Sequence, residues 1–205
     1  MTLDLPQRQS QPLLIVISGP SGVGKDSVVR RMKQRKLPFH FVVTATSRPR
    51  RRGEVDGVDY LFVSPTEFER MIREGELLEH ALVYNQHKGI PKHQVRHALA
   101  SGQDVVLRID VQGAATLRRL CPEALLIFLT TRTEEELLSR LRRRETESSE
   151  SLELRLATAR QEYQQLDLFD YVVVNADGQL DQAVDTIQAI ITAEHQRVHP
   201  RRVNL

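Results

Sequence analysis

The stretch from Leu13 to Ser27, LLIVISGPSGVGKDS, constrains the fold more than any other part of the chain. Leu13 to Ile17 is an unbroken apolar run, too short for a free-standing helix, and reads as a buried strand. Gly19 to Lys25 then supplies the G-x-x-x-x-G-K spacing of a phosphate-binding loop. Glycines let the backbone double back and approach a ligand with no Cβ in the way. The N–H groups so exposed form an anion-binding hollow at a helix N-terminus, where the dipole also favours negative charge. Lys25 adds a mobile point charge that reaches the β- and γ-phosphates of a nucleotide. A glycine-rich turn with a chance lysine would carry the same letters, but the strand before it and the helical stretch Ser27 to Met32 after it favour a phosphate site. The expected ATP-binding set is therefore Gly19, Pro20, Ser21, Gly22, Val23, Gly24, Lys25, Asp26 and Ser27. In such loops a Ser or Thr hydroxyl follows the lysine and touches Mg²⁺. Here Asp26 follows it, with Ser27 next. Aspartate is also a hard oxygen ligand, so Mg²⁺ is expected with ATP, and Asp26 and Ser27 are both candidate ligands.

Beyond the loop, strand and helix patterns alternate. Helices are expected over residues 25–36, 65–74, 92–100, 111–120, 134–144, 151–165 and 180–195. Strands are expected over 39–45, 60–63, 77–84, 104–109, 124–129 and 171–174. This order implies an α/β fold, a mostly parallel sheet with helices on both faces. At 205 residues the chain suits one domain. The polar stretch between Thr44 and Tyr84 interrupts the alternation and is expected to form a subdomain. No apolar run approaches the roughly 20 residues of a membrane span. A net charge of +2 makes the whole chain no polycation, although arginines cluster at 48–52, 140–144 and 197–202. The single cysteine, Cys121, excludes an internal disulfide and suits a reducing compartment. The first twelve residues carry no targeting pattern and read as a flexible tail on a cytoplasmic protein. The basic segment after His195 is expected to be a second flexible tail.

Within the polar stretch, Arg48, Arg51 and Tyr60 share a loop with Gly53 and Gly57. Guanidinium forks bind phosphate bidentately and a phenol donates a further hydrogen bond, so two arginines three residues apart can converge on one phosphate. A solvated basic loop is the plainer reading of that segment alone. The wider chain argues against it. GPSGVGK, SRPRRRGEVDGVDYLFVS, ELLEHALVY, KGIP, IDVQGA and RLRRRETES followed by RLATARQE occur in the order and spacing of guanylate kinases. This resemblance runs from about Leu13 to Ala193.

What the resemblance implies is specific. Gly19 to Lys25 would hold the ATP phosphates, and Arg48, Arg51 and Tyr60 the GMP phosphate. Thr44, Glu79 and Asp110 would face the guanine, with Glu54 nearby. Arg140, Arg144 and Arg155 would lie on a lid that closes over the phosphates, and with Lys25 and Arg48 would carry the catalysis. The domain would span 13–195, with a core of 13–44, 96–138 and 156–195, a GMP-binding subdomain over 45–95 and a lid over 139–155. ATP and GMP would be the substrates, with no nucleic acid or membrane partner. Guanine offers donors at N1 and its exocyclic amine, so Glu79 is the natural acceptor. Four positions depart from the family's commoner pattern. Lys88 replaces a phosphate-binding tyrosine, Ile90 a hydroxyl residue, Arg108 an acidic residue and Asp26 the Ser or Thr. A charge exchange between Asp26 and Arg108 is expected if the core strands bring their ends together. Two other classes share parts of the pattern. A ribose-bisphosphate phosphokinase can also read GKDS but lacks the complete segment from Arg48 to Tyr60. A non-catalytic guanylate-kinase-like binding module would usually show a broken phosphate loop.

Overall fold

The computed structural model describes residues 11–83, 86–142 and 149–205. Five parallel strands form the core sheet, in the order β2 (His40–Phe41), β7 (Val105–Arg108), β1 (Leu14–Ser18), β8 (Leu125–Thr130) and β9 (Tyr171–Val174). Every residue of β1 is buried, because it lies mid-sheet with helices on both sides. Alternation along the strands divides the core into two layers. Ile15, Ile17, Leu125, Ile127 and Leu129 pack against α1 (Lys25–Gln34), α5 (Glu134–Arg142), α6 (Ser149–Tyr163) and α7 (Leu180–His195). Leu14, Val16, Val105, Leu107 and Leu126 face α3 (Lys92–Ala100) and α4 (Val111–Leu120). Truncating one such side chain to alanine costs about 2–5 kcal/mol, so a one-residue slip of β1 is excluded by both faces together.

The polar stretch folds as a second, four-stranded sheet. Its order is β4 (Leu61–Phe62), β3 (Ala45–Thr46), β6 (Gln86–Pro91) and β5 (Leu77–Val83). One small helix, α2 (Pro65–Arg73), buries Phe68 and Met71 against it. Ser64 caps that helix by accepting the Glu67 N–H at 3.0 Å, and Pro65 occupies its first turn. Two expectations need revision here. The apolar run 39–45 is not one strand: β2 joins the core sheet beside β7, whereas β3 pairs with β4 and β6 in the second sheet. And Gln86–Pro91, whose letters QHKGIP carry no strand pattern, is β6. Gly89 permits it, since a Cβ there would lie 2.8 Å from Leu77 Cδ1 and 3.0 Å from Phe68 Cζ.

The C-terminal segment is not a flexible tail. Arg201 is buried, donating from Nε to Glu194 Oε2 at 2.7 Å and from Nη1 to the Ala124 carbonyl at 3.3 Å, with Asp170 Oδ1 3.4 Å from Nη2. Tyr171 donates to the other Glu194 oxygen at 2.8 Å, and Val203 and Leu205 lie on the α3/α4 core layer. Basic residues that read as solvated in one dimension are thus paired with carboxylates from α7 and the start of β9. Of the first twelve residues, only 11 and 12 are among those described. Residues 143–148, including Arg144 and the centre of the expected lid, lie outside them. No helix among the described residues is long and apolar enough to cross a membrane.

Candidate active site

Ligands of open α/β sheets bind beyond the carboxyl ends of the strands, and the phosphate loop leaves β1 there. Its conformation needs its glycines. Gly19, Gly22 and Gly24 have φ of 136°, 92° and 96°, in the region that side chains avoid. At Gly19 a Cβ would also sit 2.2 Å from the Leu129 carbonyl oxygen, and at Gly24 2.4 Å from Asn175 Nδ2. The loop is held from behind: Asn175 Nδ2 donates to the Val23 carbonyl at 2.8 Å and Arg140 Nη1 to the same oxygen at 3.2 Å. Lys25 Nζ folds back to donate to the Gly19 carbonyl and, at 3.0 Å, to Pro20. Burial pushes this ammonium down to about 8, opposed by the charge of Glu162.

The same cleft is walled by residues of both sheets. Around it stand the loop from Gly19 to Asp26, then Thr44, Arg48, Arg51, Glu54 and Tyr60, and finally Lys88, Asp110 and Arg155. Arg48 is buried and its guanidinium is gripped by the Glu54 carboxylate, with Nη1 to Oε2 at 2.7 Å. Glu54 also accepts the Arg51 N–H at 2.8 Å, so it organises this loop, and its carboxyl is held below the usual range by Arg48. Arg51 itself is exposed on the rim. The Thr44 hydroxyl is buried with no partner among the described residues, the condition of a group awaiting a ligand.

Glu79 and Asp110 converge at the start of α4. Asp110 caps the helix by accepting the Gly113 N–H at 2.9 Å. Glu79 is 5% exposed and its Oε1 lies 2.8 Å from where a Gly113 Cβ would be. Only glycine there leaves room for the carboxylate. Burial first, then the Asp110 charge, push Glu79 up to about 8. Lys88, on β6 opposite Thr46, is lowered mainly by burial and raised in part by Asp110. The expected exchange is present too, with Arg108 Nη1 donating to Asp26 Oδ1 at 2.7 Å.

Several expected residues stand back from the cleft wall. Val23, Ser27 and Glu79 do not line it, and Arg140 spends its guanidinium on Val23, Asn175 and Asp177. Arg155 reaches the loop by donating to Ser21 Oγ at 3.2 Å. Two contributors escaped the sequence reading. Glu162 on α6 lines the cleft and is raised by burial to about 6, and Asn175, after β9, braces the loop. Glu162 closes the RLATARQE segment but was given no role there, Asn175 belongs to no local motif, and only the closing of the sheet brings them near residues 19–25.

A parallel sheet with a phosphate loop on its central strand, opening into a cleft rich in arginine and lysine, defines a phosphate-loop kinase. Comparison with known proteins narrows the class. A family model described as Guanylate kinase matches residues 11–194, and the chain belongs to the guanylate kinase family. "Guanylate kinase 2, chloroplastic/mitochondrial" of Oryza sativa subsp. japonica is 55% identical over 95% of this chain and 69% of its own length. A guanylate kinase of Caldanaerobacter subterraneus subsp. tengcongensis is 44% identical over 93% of this chain and 91% of its own. The crystal structure of guanylate kinase from Anaplasma phagocytophilum superposes with a TM-score of 0.74 at 29% identity, covering 93% of this chain and 89% of that one.

Proposed function

We propose that this kinase transfers the γ-phosphoryl group of ATP to GMP, giving ADP and GDP. One observation carries the reading: a single cleft joins the phosphate loop to Thr44, Arg48, Arg51, Tyr60, Lys88 and Asp110. Phosphoryl transfer needs positioning and charge neutralisation more than covalent chemistry, and these residues supply both. The loop N–H groups and Lys25 hold the donor phosphates, Lys25 exchanging its bonds to Gly19 and Pro20 for phosphate oxygens. Arg48, pre-set by Glu54, acts with Arg51, Tyr60 and Lys88 on the acceptor phosphate. Glu79 accepts from guanine N1–H and the exocyclic amine, while Thr44 and Asp110 complete the base site. Arg155 and Arg144 meet the phosphates as the lid over 139–155 closes and excludes water, while Arg140 braces the loop through the Val23 carbonyl.

Among the described residues no three His, Cys, Asp or Glu side chains cluster as a metal cage. Asp26, on the cleft wall and shared with Arg108, offers Mg²⁺ a carboxylate, the neighbouring Ser27 being off that wall; the ion is usually held by one or two protein oxygens and the nucleotide's phosphates. The ion would neutralise charge on those phosphates. The lone, buried Cys121 suits a reducing, cytoplasmic setting. ADP formation measured with GMP, AMP, UMP and ribose bisphosphate as acceptors tests the assignment. GMP should turn over at least a hundredfold faster than the others. Faster turnover of ribose bisphosphate, or no turnover with any acceptor, would overturn it.

A further inference from the structure

Arg108 ends β7, paired in register with Ile17 of β1, on the rigid floor of the cleft. Its guanidinium reaches in two directions. Toward the donor side, Nη1 donates to Asp26 Oδ1 at 2.7 Å, in the first turn of α1. Toward the acceptor side, Nη2 donates to the Asp59 carbonyl at 3.2 Å, and the guanidinium carbon lies 4.5 Å from the centroid of the Tyr60 ring. Arg48 packs on the same ring at 4.7 Å. Phe62 also meets it at a tilt, 5.8 Å between centroids, and a cavity of ≈ 510 Å³ opens beside Tyr60 and Arg108. Two guanidinium groups thus pack on this one ring. Arg108 and Asp26, two of the positions at which this chain departs from the family pattern, are each other's partners.

We propose that Arg108, anchored by Asp26, is a positioning residue of the acceptor site, fixing the Tyr60 ring and the Asp59 carbonyl so that the phenol stands ready for the GMP phosphate. This rests on the reading of Tyr60 as a phosphate contact. It gives Asp26, a donor-loop residue, an effect on acceptor binding with a sign opposite to simple electrostatics. Removing a carboxylate near an anion site should strengthen anion binding by Coulomb's law, but the Asp26 side chain is 48% exposed and its field is screened. Loosening the arginine it anchors acts the other way and dominates.

Calorimetric titration of GMP into the full chain, with neither ATP nor metal present, separates the two. Asp26→Asn should weaken GMP binding about fivefold and Arg108→Met about tenfold. The double variant should be no weaker than Arg108→Met within about twofold, because the pair acts as one unit. Arg108→Lys, which keeps the charge and loses the planar stack, should also weaken binding. GMP binding by Asp26→Asn that is tighter than wild type or within twofold of it would overturn the proposal, as would fully additive losses. Thermal melting reports the fold of each variant, and if Arg108→Met fails to fold, the surface change Asp26→Asn decides alone. A wild-type chain that binds no GMP would overturn the acceptor reading itself and the proposal with it.

Discussion

Glu79 makes GMP binding a protonation event. Its carboxyl stands near 8 in the free protein, raised by burial and by Asp110, so at pH 7 it is mostly neutral. Guanine's N1–H and amine need an acceptor, hence the ionised form. The apparent affinity is then reduced by the ionised fraction, a factor of 1 + 10^(8 − pH), or about 11 at pH 7 and about 2 at pH 8. KM for GMP should fall about 25-fold between pH 6.5 and 8.5. The range starts above the second pKa of a phosphomonoester, near 6, so that the ligand's own titration contributes little. Glu79→Gln should abolish this slope and lose roughly 2–4 kcal/mol in kcat/KM for GMP, since buried polar groups are left unpaired. Stability moves with the opposite sign. The folded-state pKa lies above the ordinary glutamate value of 4.5, so the stability linked to neutral Glu79 is full below about 4.5 and is lost as pH rises toward 8. The loss is roughly 1.4 kcal/mol per pH unit, and Glu79→Gln should escape it. Steady-state kinetics across pH, with KM for ATP as control, and urea unfolding at the same pH values provide the measurements. A KM for GMP that changes less than threefold over the range, or an equal slope in Glu79→Gln, would refute the reasoning.

Three further outcomes are expected. Lys25→Ala should lower kcat at least a hundredfold, about 3 kcal/mol in the transition state, with an unchanged melting temperature; retention of a tenth of wild-type kcat would count against the donor site. Asp26→Ala should raise the Mg²⁺ concentration for half-maximal rate far more than Ser27→Ala does, and the reverse ranking would move the ligand to Ser27. Lys88→Ala should raise KM for GMP about tenfold with little effect on KM for ATP, and Lys88→Tyr should recover much of the loss; a KM within threefold of wild type in Lys88→Ala would place this lysine outside the site.

What could be read in one dimension depended on how local its cause was. The phosphate loop, α2 with its Ser64 cap, and the apolar strands β1, β7 and β8 are set by their own residues, and they lie where the letters place them. The interaction of Asp26 with Arg108 was legible because Asp26 opens the helix that follows β1 and Arg108 ends β7, the neighbouring parallel strand. β6 was not, because a segment reading QHKGIP becomes a strand only between β3 and β5, where Gly89 lets Leu77 and Phe68 close in. Chain periodicity likewise gave no warning that residues 39–45 cross from one sheet to the other. Arg201 looks solvated in its basic segment, and only the folded position of Glu194 and Asp170 reveals it as an internal counter-charge. Glu162 and Asn175 needed the whole sheet before either met the loop.

The bond from Asn175 to Val23 also relates the fold to the order of synthesis. The nucleotide loop leaves the ribosome first, yet β1 finds its neighbours only from Val105 onward, and the amide that props the loop lies 152 residues further along than Val23. At about 5–20 residues per second, that interval is roughly 8–30 s of translation. During it the glycine loop lacks the amide that braces Val23, and ATP binding by the emerging chain is expected to wait for that bond. Nucleotide competence therefore arrives with the final strand. A stalled nascent chain ending at Asp170 should ignore an ATP resin that retains the full-length chain, and capture of that shorter chain would show that the loop sets without its prop.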